Sequence, residues 1–121
     1  MQIVRIQTNI RVADIPDRIE QSVSYSLSTV MDLSADKFVV IIEPAVRMKV
    51  GLDSNETPVA VVNFQTTRPS SRAENDTYAK KLTLVLIEQL KLDANHIFIS
   101  FDFKDAKSFA VQGKTIASLY E

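Results

Sequence analysis

Apolar and polar residues alternate almost from the first position. Val4 and Ile6 fall against Arg5 and Gln7 across residues 3–8, the period-two pattern of a strand with one well-buried face. Asp14 then precedes Ile15-Pro16-Asp17, where an N-cap acid, an early proline and a second acid predict a helix start. Ile19, Val23, Leu27 and Val30 follow at helical spacing and carry that helix to about Met31. Phe38-Val39-Val40-Ile41-Ile42 is apolar on both faces and ends at Glu43-Pro44, which predicts a central strand covered on both sides. A loop holding Gly51 leads to the strand Val59-Ala60-Val61-Val62-Asn63-Phe64. A second helix is expected from about Asn75 or Asp76, with Tyr78, Leu82, Val85, Leu86 and Leu90 inward, and Ile97-Phe98-Ile99-Ser100-Phe101 supplies a last strand.

The two halves read as copies. Ile6-Gln7-Thr8 returns as Phe64-Gln65-Thr66, and Leu33-Ser34-Ala35-Asp36 with Phe38-Val39-Val40 returns as Leu92-Asp93-Ala94-Asn95 with Ile97-Phe98-Ile99, at nearly one spacing. The expectation is a single domain, residues 1–121, with a β-α-β pseudo-repeat over 2–43 and 58–103. Such a repeat gives an α/β fold: a four-stranded mixed sheet of two parallel pairs, with two antiparallel helices on one face. The other face is uncovered, yet Ile3, Val39, Ile41, Val59, Val61 and Phe98 would need burial there. The simplest cover is another copy of the chain. Arg5, Gln7, Asn63 and Gln65 share that face, so either the sheets meet around a wet centre or these residues sit at the sheet rim.

Composition narrows the chemistry. At 121 residues, with 45% apolar and 24% charged residues, the chain is globular rather than disordered. Fourteen basic residues against fifteen acidic ones give a net charge of −1, without the basic patch that a nucleic acid needs. There is no cysteine, and His96 is the only histidine, so thiol chemistry is excluded and a zinc site or catalytic triad has little to work with. Nothing here calls for a cofactor. The longest apolar run, Phe38 to Ile42, is far too short to span a bilayer, and residues 1–20 lack the apolar core of a signal peptide. The expectation is no membrane partner and a cytoplasmic protein. Asn55-Glu56-Thr57 and Asn75-Asp76-Thr77 match glycosylation sequons, read here as chance occurrences without a secretory signal.

The N-terminal strand with Thr8-Asn9-Ile10, then Ile15-Pro16-Asp17, then Pro44, then Asn75 to Tyr78 with Ala79-Lys80-Lys81-Leu82 behind it, follow one another at a recognisable spacing. In that order the chain resembles the macrophage migration inhibitory factor and D-dopachrome tautomerase family of the tautomerase superfamily, with a short insertion near Ser54. The resemblance implies a homotrimer whose sheets form a central barrel around a solvent channel. It also implies a catalytic base, an N-terminal proline exposed by removal of the initiator methionine, which shuttles a proton in keto–enol substrates. A lysine beside it holds the substrate carboxylate and stabilises the enolate.

Carried over residue by residue, that machinery is altered. The proline position is Gln2, before which methionine is ordinarily retained, and the lysine position is Leu33. An aromatic lining position falls on Lys37, a tyrosine on Phe98 and an asparagine on Ser100; with Thr67 these complete the ligand pocket the resemblance implies. The family's Cys-x-x-Cys segment aligns with Val59-Ala60-Val61-Val62, and the tail Phe109 to Lys114 follows the family's last strands loosely. The reading is a degenerate tautomerase site in a binding or cytokine-like module, with a receptor protein or a small aromatic keto acid as partner. The alternative is a tautomerase of the phenylpyruvate or dopachrome type, using the α-amine of Met1. Its reference pKa of roughly 7.7–8.0 would be lowered by burial, and Lys37 would stand at the pocket mouth. A further alternative is a paralogue with another ligand in the altered pocket. Family members can leave cells without a signal peptide, which adds secretion by that route as an alternative location.

Overall fold

Strand β1 (Gln2–Thr8) realises the opening alternation: Gln2, Val4, Ile6 and Thr8 are buried, while Ile3, Arg5 and Gln7 turn to the other face. The computed structural model describes residues 1–54 and 56–120, so Asn55 and its sequon reading lie outside the described residues. Helix α1 (Ile19–Met31), strands β2 (Phe38–Glu43) and β3 (Ala60–Thr66), helix α2 (Arg72–Leu90) and strand β4 (Ile97–Phe103) follow. A short hairpin of β5 (Ala110–Val111) and β6 (Lys114–Thr115) and one turn of helix, α3 (Ile116–Leu119), end the chain.

The large sheet has the order β2-β1-β3-β4. Strand β1 runs parallel to β2, with Val4 opposite Val40, and antiparallel to β3, with Val4 opposite Phe64. β3 runs parallel to β4, with Phe64 opposite Phe101. This is the expected mixed sheet with both long helices on one face. The expectation of a central β2 is corrected: β2 is an edge strand, half-buried after Phe38, because one of its apolar faces meets α1 and the other belongs to the open side.

The core lies between sheet and helices. Val4, Ile6, Val62 and Phe64 meet Ile19, Val23, Leu27 and Met31 of α1 and Tyr78, Leu82 and Leu86 of α2. Phe64 stacks with Tyr78 at 6.3 Å between ring centroids and packs tilted on Phe101 at 5.7 Å.

Helix starts differ from the expected ones for identifiable reasons. Asp14 closes a 3-10 turn over Val12–Asp14 and its carboxylate accepts from Arg11 Nε at 3.0 Å, so it caps nothing and α1 begins at Ile19. α2 begins at Arg72, ahead of Asn75, because Ser71 and Glu74 form a capping box: Ser71 Oγ accepts from Glu74 N at 3.1 Å, and Glu74 Oε1 accepts from Ser71 N at 2.9 Å. Both long helices stop in the same way, with a left-handed residue, Asp32 at φ 52° and Lys91 at φ 56°, followed by a leucine packed on the core.

On the open face the registers define three cross-sheet rows. In sheet order they are Val39, Ile3, Gln65 and Asp102; Ile41, Arg5, Asn63 and Ser100; and Glu43, Gln7, Val61 and Phe98. Val39, Val61 and Phe98 are 40%, 41% and 46% exposed. Polar pairs cross this face: Arg5 Nη1 to Glu43 Oε1 at 3.2 Å and Asn63 Nδ2 to Ser100 Oγ at 3.2 Å. Val59 is corrected from an open-face to a buried residue, since Thr8 and Asn9 hold its backbone: Val59 N donates to Asn9 Oδ1 at 2.9 Å and Thr8 Oγ1 donates to Val59 O at 2.7 Å. Among the described residues no helix is long and apolar enough to cross a membrane.

Candidate functional site

The strand start at Gln2 fixes the N-terminal amine at one end of the sheet, beside the loop that leaves β3. Two reciprocal hydrogen bonds hold Met1 there: its amine donates to Thr67 Oγ1 at 3.2 Å and Thr67 N donates to Met1 O at 3.4 Å. The 3-10 turn Ala35–Lys37 brings Asp36 and Lys37 alongside, and the C-terminal segment closes the other wall with Val111, Ile116, Leu119 and Tyr120. Together they enclose a cavity of about 330 Å³, within the range of small-molecule sites.

The C-terminal wall forms for local reasons. Gln112 and Gly113 both have positive φ, 58° and 77°, as a two-residue hairpin turn with primed geometry requires. Thr115 Oγ1 then accepts from Ser118 N at 3.1 Å and caps α3, and Ile116 N donates to Phe109 O at 2.8 Å. The sequence reading aligned this tail only loosely and missed its contribution of cavity residues. Gly113 and the Thr115-x-x-Ser118 cap are the signals in the sequence that point to it.

Electrostatics single out the amine. Burial holds the Met1 amine below its ordinary value of 8.0, and the Lys37 ammonium pushes in the same direction. A primary amine that loses its proton more easily can act as a base or a nucleophile. Lys37 adds a positive charge that favours an anionic ligand, and Val111, Ile116 and Leu119 offer an apolar wall.

Of the residues expected from sequence, Met1, Thr67 and Lys37 come together here. Gln2 is adjacent in sequence, but it is buried on the helix side of the sheet at 2% exposure, and its Oε1 has no hydrogen-bond partner among the described residues. Leu33 follows the left-handed Asp32 at the end of α1; its N–H returns to Ser28 O at 3.2 Å and its side chain packs against the core. A cation does stand at that end of α1, and sequence reasoning missed it: Arg68 Nη1 donates to Met31 O at 2.6 Å. Phe98 and Ser100 are not brought to this cavity within one chain. They lie on the open face of β4, in register with Val61 and Asn63.

A larger cavity of about 680 Å³ lies between the segment after β1 and the C-terminal end of α2, lined by Ile10, Arg11, Asp14, Gln89, Leu90 and Lys91 among others. It holds none of the expected residues. Among the described residues no three His, Cys, Asp or Glu side chains gather as a metal site would require.

Comparison with known proteins agrees with this architecture. The macrophage migration inhibitory factor family model matches residues 1–117. A macrophage migration inhibitory factor from Xenopus laevis is 26% identical over 117 residues, covering 97% of this chain and 100% of that protein. Among solved structures, the macrophage migration inhibitory factor of Trichinella spiralis superposes with a TM-score of 0.85 at 21% identity, covering 93% of this chain and 98% of the other. That of Oncomelania hupensis gives 0.86 at 16% identity, covering 95% and 82%. With a family match over nearly its whole length and this sheet topology, the chain belongs to the macrophage migration inhibitory factor family.

Proposed function

We propose that this protein is a family member with a degenerate tautomerase site, acting as a non-catalytic, cytokine-like binding module assembled as a homotrimer. The observation that carries the reading is Gln2: a buried amide, with no basic nitrogen, occupies the position where the resemblance expects the catalytic proline. Leu33, at the expected lysine position, is used in closing α1 and packing on the core. Of the pocket positions the resemblance implies, Lys37 and Thr67 would come from one copy and Phe98 and Ser100 from another, while Gln2 and Leu33 are turned into the fold. The apolar residues of the open face favour cover by further copies. The family's small aromatic keto acids or a receptor protein are the partners to test.

The second reading is a keto–enol tautomerase that uses the Met1 amine. It is favoured by the lowered basicity of that amine and by Lys37 beside it. Against it, the amine is one residue removed from the proline position, and proton transfer demands close placement. A phenylpyruvate enol–keto assay on the wild type and on Gln2→Pro, with the mature N-terminus checked by mass spectrometry, separates the two. No wild-type rate above buffer is expected; a clear wild-type rate would establish the second reading instead.

A further inference from the structure

The cavity at Met1 contains a group that a proton-transfer site built on proline would lack. Its amine is primary, it is partly buried, and it is oriented by the hydrogen bond to Thr67 Oγ1 at 3.2 Å. That bond uses one N–H and leaves the nitrogen lone pair, once the amine is unprotonated, directed elsewhere. The charged and titratable groups on the cavity walls are Asp36 and Lys37 from the turn before β2 and Tyr120 after α3. Lys37 is exposed and makes no ion pair among the described residues, so its ammonium is available to a ligand. An amine beside a second cation is a known arrangement for nucleophilic attack on carbonyl carbon, because the neighbouring charge favours the neutral amine.

We propose that this cavity captures small α-keto monocarboxylic acids covalently, the Met1 α-amine forming an imine at the keto carbon while Lys37 holds the carboxylate. The inference rests on the reading that the pocket is retained as a binding site. In the first step the nitrogen lone pair forms a bond to the carbonyl carbon, the carbon–oxygen π pair moves to oxygen, and one proton passes from nitrogen to oxygen to give a neutral carbinolamine. In the second, the hydroxyl gains a proton and leaves as water while the nitrogen lone pair forms the C=N bond, and nitrogen then gives up its remaining proton. The net change is amine plus ketone to imine plus water, with no oxidant or reductant. A secondary amine such as proline cannot give this neutral product, so the replacement at position 2 changes which chemistry the amine can do. Val111, Ile116 and Leu119 would receive the apolar end of the acid.

The test is reductive trapping of the full chain with pyruvate and cyanoborohydride at neutral pH, read by intact mass and peptide mapping. The expected result is one reduced adduct on Met1, with each lysine labelled about tenfold less. Lys37→Met, which alters only an exposed side chain, should cut pyruvate labelling of Met1 by about tenfold and cut acetone labelling less, since acetone has no carboxylate to hold. Adduct spread over the lysines, equal labelling of Met1 in Lys37→Met, acetone performing as well as pyruvate, or a mature chain without a free Met1 amine would each overturn the proposal. Trapping reads adduct mass and the enol–keto assay reads turnover, so failure of one is distinguishable from failure of the other.

Discussion

Among the described residues Gln2 is the buried side chain whose polar atom is left without a partner, and such an atom forfeits its hydration for nothing in return. Gln2→Met keeps the shape of the side chain and removes the orphaned acceptor. It should stabilise the fold by about 1 kcal/mol, read as a higher denaturant midpoint at unchanged m-value. A loss of stability would mean instead that a donor reaches Oε1 in the assembled protein. The neighbouring amine has its own signature. The unfolded Met1 amine holds its proton up to about its ordinary 8.0, while the folded one releases it at lower pH. The unfolded state therefore binds more protons between those values, and stability should rise with pH across that window. In Lys37→Met the amine returns toward its ordinary value, so a plot of melting temperature against pH should be shallower than in the wild type. At this scale the sequence was informative about identity and poor on direction. It placed Met1, Thr67 and Lys37 at one site, but which way Gln2 turns depends on the pleat of β1, and the Arg68 contact with Met31 depends on a loop conformation that no periodicity encodes.

At the scale of the element, caps decide where helices begin and end. Ser71→Ala removes one half of the α2 capping box and should cost about 1 kcal/mol, measurable by thermal or denaturant unfolding. Asp32→Gly should act in the opposite direction, gaining up to about 1 kcal/mol, because Asp32 combines a left-handed backbone with a negative charge at the C-terminus of α1, where the helix dipole disfavours it. The Ser71-x-x-Glu74 signal was present in the sequence and fixes the start of α2; the acids at Asp14 and Asp17 mimicked such a signal at α1. The difference is tertiary, since Arg11 takes up the Asp14 carboxylate and the chain makes a 3-10 turn first. Leu33 also belongs to this scale: as the apolar residue after a left-handed helix stop it mirrors Leu92 after Lys91, and that structural use accounts for a leucine there. The strand order follows from two parallel pairs joined antiparallel at β1 and β3, and the five apolar residues of β2 read as central only because they count both of its faces.

For the whole molecule, the open face is the governing fact. Light scattering should give about three times 13.6 kDa, and Val39→Glu, a charge set on an apolar part of that face, should shift the population toward smaller species. A stable wild-type monomer would remove the argument. The middle row of the same face sets a further condition on any occupant. Ile41 is its only apolar member, and Arg5, Asn63 and Ser100 stretch across the other three strands, with Glu43 reaching back to Arg5. A wholly greasy partner pressed onto this sheet would strip water from a guanidinium and an amide without replacing it. The row thus works as an admission rule: it turns away indiscriminate hydrophobic contacts and accepts only surfaces that bring water or polar groups to the middle of the sheet.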